Sequence, residues 1–92
     1  MITYVECECM IYHSHSLKEK RAVLQRVITR LKQKHNVAVS EIDHQDVWQR
    51  TRIAIVTVAS TKGASEREIE NALKFIDSFP EWERLETTRE TF

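Results

Sequence analysis

The opening stretch of the chain constrains the fold more than any other. From Ile2 to Tyr12, Thr3, Val5, Cys7, Cys9 and Ile11 fall on one face and Tyr4, Glu6, Glu8, Met10 and Tyr12 on the other. A period of two sends successive side chains to opposite faces of an extended strand. One face here is largely apolar and the other carries carboxylates, so the strand is dry on one side and wet on the other. That pattern belongs to a sheet covered on a single face. A parallel sheet held between two helical layers needs apolar residues on both.

The remaining elements follow in turn. Ser16 precedes Leu17-Lys18-Glu19, an S-x-x-E capping box whose hydroxyl accepts from the Glu19 amide. Leu17, Leu24, Val27, Ile28 and Leu31 recur at helical spacing with Val23 at the edge, predicting a helix over 16–35. Lys34 and His35 suit its C-terminus, and Asn36 reads as a left-handed cap. Val37 and Val39 begin a short strand running to about Ile42. Arg52 to Ala59 is the most apolar run of the chain and predicts an inner strand covered on much of both faces. Ser60-Thr61-Lys62-Gly63 breaks it. A second box, Ser65 to Glu68, opens a helix with the apolar arc Ile69, Ala72, Leu73, Ile76 and Phe79. Pro80 ends that helix because it has no amide hydrogen to donate. Residues 82–90 read as a charged strand suited to a sheet edge.

The order is therefore β-α-β-β-α-β. Two amphipathic helices each need an apolar surface, and four strands supply one face. The economical arrangement is a ferredoxin-like α+β fold, a four-stranded antiparallel sheet with both helices on one side. A chain of 92 residues accommodates one such domain over 1–92. Tyr4, Glu6, Glu8 and Met10 then lie on the uncovered face, where a partner or a second copy can bind. No apolar run approaches the ~18 residues of a membrane span, and Met1 leads directly into a strand pattern rather than a basic leader. The expected compartment is the cytoplasm, with no membrane partner.

Charge and cysteine usage narrow the function classes. Residues 1–35 carry seven basic groups against three acids, 36–63 three against three, and 64–92 four against eight, which gives +4, 0 and −4. This separation suits a basic patch facing phosphate or complementary self-association, without the strongly basic balance of a dedicated nucleic-acid binder. Cys7 and Cys9 share one strand face, a geometry ill-suited to a mutual disulfide, and two thiolates fall short of the usual four zinc ligands. They read as small reduced core residues.

The densest polar stretch is Asp43-His44-Gln45-Asp46-Val47-Trp48-Gln49-Arg50, and three readings compete for it. As structure, it is a hairpin connection in which Asp43 and Asp46 accept from backbone amides, and Trp48 caps the core with Arg50 stacked or ion-paired on it. As an RNA surface, Trp48 stacks on bases while His44, Arg50 and Arg52 grip phosphate. As a catalytic site, His44 beside Asp43 or Asp46 is an oriented base, but no nucleophile accompanies it. His13, His15 and His44 with Asp46 make a conceivable ligand set, but one whose loops must bend together, so no metal and no cofactor is expected. The first helix adds a coat of positive charge from Lys18, Lys20, Arg21, Arg26, Arg30, Lys32 and Lys34.

Four features together resemble one family: the entry Ser14-His15-Ser16-Leu17-Lys18-Glu19-Lys20-Arg21, the exit Asn36-Val37 with Glu41 ahead of Asp43, the polar octet, and the overall length. The chain is similar, over essentially its whole length, to the YlxP-like family of small bacterial proteins of unknown function. The resemblance implies a ferredoxin-like fold and, through the translation and ribosome-maturation factors encoded near members, a ribosomal setting. It supplies no catalytic residues. Early in the first strand, where members often carry glycine or a plain aliphatic, this chain has Tyr4, and Cys7 and Cys9 follow. The reading that results is a non-enzymatic accessory factor for ribosomal RNA or a ribosome-maturation intermediate, with Lys18, Arg21, Arg26, Arg30, His44, Trp48, Arg50 and Arg52 as the RNA-binding set. The alternative is a homodimer or protein-interaction module acting through the open sheet face or an edge strand.

Overall fold

The computed structural model describes all 92 residues. In chain order the elements are β1 (Ile2–Met10), α1 (Leu17–Lys34), β2 (Ala38–Asp43), β3 (Arg50–Val58), α2 (Lys62–Asp77) and β4 (Glu83–Thr91). The sheet order is β2-β3-β1-β4, and every neighbouring pair is antiparallel. This is the ferredoxin-like arrangement expected from the pattern of periodicities.

The alternation in β1 has its predicted consequence. Val5, Cys7, Cys9 and Ile11 are buried with Ile53 and Ile55 of β3, against Leu24, Val27 and Leu31 of α1 and Ile69, Ala72, Leu73 and Ile76 of α2. Burial pushes the Cys9 thiol up to about 12, with Cys7 adding to the shift. The Cys7 thiol is raised by burial as well. Both are inert packing groups in the folded protein.

α1 begins as expected: the Ser16 hydroxyl accepts from the Glu19 amide at 3.1 Å. The reciprocal bond runs one residue earlier than in the standard box, with the His15 amide donating to the Glu19 carboxylate at 2.6 Å. Three local expectations are corrected. Asn36 is not a left-handed cap; α1 ends on His35 in an extended conformation, and the Asn36 carbonyl accepts from the Thr57 hydroxyl. Ser65 does not open α2. Thr61 is the N-cap and accepts from the Ala64 amide at 3.1 Å, which carries Gly63 into the helix. Ser65 is instead buried, where its hydroxyl and that of Thr3 on β1 share a hydrogen bond of 2.8 Å. A serine inside the first turn is satisfied by the sheet below it, so its spacing to Glu68 carries no capping signal.

The third correction concerns Lys20, which does not belong to the solvated coat of α1. Its side chain is 1% exposed, and its ammonium lies 2.9 Å from the Glu41 carboxylate. It also donates to the His44 carbonyl. Glu41 in turn accepts from the buried Thr51 hydroxyl. Removing one member of a buried pair strands the other's charge, a loss of ~3–5 kcal/mol. Glu41 keeps some contact with water, so Lys20→Met is expected at the lower end, about 3 kcal/mol. Adding Glu41→Gln should recover at least half of that loss in urea-denaturation midpoints.

Candidate functional site

The functional interest lies at the end of the molecule where β1 runs into α1 and β2 runs into β3. The backbone there is shaped by a bulge: Glu41 lies opposite Ile53, but Asp43 lies opposite Arg52, so β2 carries one extra residue. A bulge bends its strand and re-aims side chains. Glu41 points under α1, and the chain then swings over to the open face. His44 completes the swing with φ 64°, the only positive φ in the chain. Histidine tolerates this region better than most side chains, and the His44 amide donates to Asp43 Oδ1 at 2.7 Å.

The connection is tied to its surroundings on both sides. The His44 carbonyl holds Lys20. Gln49 donates through Nε2 to the Ser14 carbonyl at 3.0 Å, and its own carbonyl accepts from the Ile11 amide at 2.8 Å. Trp48 therefore sits between two anchors that both lead to the start of α1. The indole itself is 52% exposed, so Trp48 does not cap the core. Trp82 fills that role: it is buried beneath the end of α2 and donates from Nε1 to the Ile76 carbonyl at 2.8 Å.

Arg50 and Arg52 belong to a network on the open sheet face rather than to an unoccupied cationic surface. Arg52 donates to Glu6 at 2.9 Å and to Glu8 at 3.1 Å, and Arg50 donates to Glu8 at 3.0 Å. His44 Nε2 lies 2.9 Å from the same Glu8 carboxylate. Tyr4 closes the network by donating to Glu6 at 2.8 Å. Burial alone would raise the Glu8 carboxyl, but the Arg52 hydrogen bond and the charges of His44 and Arg50 outweigh it and hold the carboxyl below its ordinary range. The hydrogen bonds of Arg52 and then Tyr4 do the same for Glu6. With Nε2 directed at Glu8 and Nδ1 lying 3.9 Å from Asp43, His44 braces the connection against the open sheet face.

α1 divides its cations between two flanks. Arg26 pairs with Glu81, ahead of β4. Arg30 lies 5.9 Å from the centre of the Phe79 ring, and Lys34 lies 6.0 Å from that of Phe75. These three face the α2 side. Lys18, Arg21 and Lys32 are exposed, and at 100° per residue they line the opposite flank together with Gln25 and Thr29. No carboxylate pairs with any of the three. Of the eight residues expected to bind RNA, Lys18 and Arg21 lie on the outer flank of α1, Arg26 and Arg30 face α2, His44, Arg50 and Arg52 meet on the open sheet face, and Trp48 is exposed in the connection between β2 and β3. His13, His15, His44 and Asp46 do not converge on one point: no group of three or more His, Cys, Asp or Glu side chains is placed to hold a metal ion. The residue missed in the sequence is Lys20, although the helical wheel places it within about 40° of Leu24, Val27 and Leu31, in the middle of the buried arc.

The family described as "Protein of unknown function (DUF503)" matches residues 2–89, and the chain belongs to that family. It is 54% identical over 92 residues, the whole of both chains, to the "Uncharacterized protein YlxP" of Bacillus subtilis (strain 168). Among solved structures it is similar to the de novo designed protein Foldit4, with a TM-score of 0.61 at 18% identity over 100% of this chain and 99% of that one. It is also similar to a de novo design titled as having a ferredoxin fold, with a TM-score of 0.55 at 16% identity over 100% and 87% of the two chains. At such identities the designs speak for the fold alone. No helix is long and apolar enough to cross a membrane.

The Glu6 and Glu8 shifts contribute to the acid response. A carboxyl whose folded pKa is depressed stabilises the protein fully above its unfolded value of about 4.3, and that stabilisation is lost as pH falls through the folded value. Glu8→Gln should therefore lower the melting temperature at pH 7. The difference from the parent protein should shrink as pH is taken below about 4, as read by thermal melts across a pH series.

Proposed function

We propose that this DUF503-family protein is a non-enzymatic accessory factor that associates with RNA. In this reading Lys18, Arg21 and Lys32 contact phosphate along the outer flank of α1, and Trp48 stacks on an unpaired base. The observation that carries it is the water-facing Trp48, in a connection that His44 and Gln49 tie to Lys20 and Ser14 at the start of α1, the helix on which Lys18 and Arg21 have no ion-pair partner. A single strand fits this equipment best, because its bases are free to stack and its backbone can follow a stripe of cations. Arg26, Arg30, His44, Arg50 and Arg52 serve here as the frame, since each is engaged within the chain. The ribosomal setting implied by the family resemblance makes ribosomal RNA the first RNA to test.

Three engaged cations predict a log–log salt slope of about −2 on single-stranded RNA, measured by fluorescence anisotropy or by co-sedimentation with ribosomal subunits across a salt series. Trp48→Ala should weaken binding by ~1–3 kcal/mol for the one stacked base while leaving the melting temperature nearly unchanged. Lys18→Glu with Arg21→Glu should abolish association at equal stability. Absence from the particles even at low ionic strength would overturn the reading.

A further inference from the structure

The open face of the sheet is not uniform. Its end near the octet is polar and internally paired through Glu6, Glu8, Arg50, Arg52 and Tyr4. Its other end is apolar. The register aligns Ala38, Val56 and Tyr4 across three strands, and Val58 with Ile2. Phe92 exchanges both backbone hydrogen bonds with Ile2, at 2.7 and 2.9 Å, which extends the row onto the fourth strand position. Val58 is 63% exposed and Phe92 66%, with Ile2 exposed between them. Ala38 and Ala54 leave a shallow trough of about 170 Å³ beside Tyr4 and Val56.

β3 is thus apolar on both sides, with Ile53 and Ile55 inward and Ala54, Val56 and Val58 outward. A strand of that composition is one buried on both faces, yet this chain covers only one. We infer that a second copy of the protein covers the apolar end, forming a two-fold homodimer sheet against sheet. Three features favour a copy over a nucleic acid or an unrelated protein. Arg50 and Arg52 are already held by Glu8 and Glu6, and Glu90 opposite Tyr4 has no ion-pair partner, so this face offers phosphate no free cation. The only aromatic ring in the middle of the face, Tyr4, has its hydroxyl committed to Glu6. The charged end is compensated pair by pair, so it can lie against its own copy without net repulsion, and an apolar patch is complementary to itself in a two-fold contact. Three strands of nine residues and β2 of six, about 4.8 Å apart, offer at most roughly 19 by 30 Å. Before side-chain relief is counted, that is of the order of the ~800 Å² per partner in a standard interface. The α1 flank and Trp48 lie outside this contact, so the inference stands independently of the RNA reading.

The test is the oligomeric state of the intact protein by light scattering after size exclusion, from about 10 to 200 µM. The expected mass is twice 10.9 kDa, with a melting temperature that rises with protein concentration. Val58→Glu with Phe92→Glu, both at exposed positions, should raise the dimer dissociation constant by about 100-fold or more while the circular dichroism spectrum is unchanged. A parent protein that stays monomeric with a concentration-independent melting temperature would overturn the inference. A dimer that survives the double substitution would overturn it as well, since the contact would then lie elsewhere.

Discussion

One buried ammonium ties the two ends of the architecture together. Lys20 leaves the apolar arc of α1, crosses into the space between helix and sheet, and meets the Glu41 carboxylate and the His44 carbonyl. A charge removed from water is tolerable only when paired and hydrogen-bonded, so the position of Lys20 dictates where β2 must end and how the following connection must turn. The bulge between Glu41 and Asp43 and the left-handed His44 bring the Glu41 carboxylate and the His44 carbonyl to that one ammonium. The same ion pair restricts α1 to one register over the sheet, because a shift along the sheet would bury the ammonium without its carboxylate.

On the opposite side of the sheet, the charges are arranged to cancel. Two carboxylates on β1 receive two guanidinium groups from β3 and the His44 ring, which gives the wet face of β1 an ordered surface. Of the cations of α1, Lys18, Arg21 and Lys32 on its outer flank have neither a carboxylate nor an aromatic partner. The open face of the sheet is left with a neutral polar end and an apolar end. The two surfaces have different chemistry and do not compete.

The fold was largely legible because it rests on periodicities that require no knowledge of neighbours. Alternation in β1, helical spacing in α1 and α2, the Ser16 cap and the charged edge of β4 each report a local geometry. The misreadings arose where a polar residue is satisfied by something distant in sequence. Ser65 has the spacing of a cap but bonds Thr3 across the core. Asn36 has the chemistry of a left-handed cap but lends its carbonyl to Thr57. Trp48 and Trp82 are the same residue type, and composition gives no reason to seal one and expose the other. Of the candidate site, the octet was legible as a place, whereas the neutralisation of Arg50 and Arg52 was not, because it depends on which strand lies beside β3.

The amino-acid order by itself determined the element order, the one-sided sheet and the aliphatic residues of the core, since each follows from the periodic placement of apolar side chains along a single segment. Only the tertiary structure decided which charges are free. Pairing across strands is a contact between segments more than 40 residues apart, as for Glu8 with Arg50 and Arg52. Electrostatic attraction falls within a few ångströms to a value water can screen, so an arginine's availability is settled by its spatial neighbours, which no local pattern records.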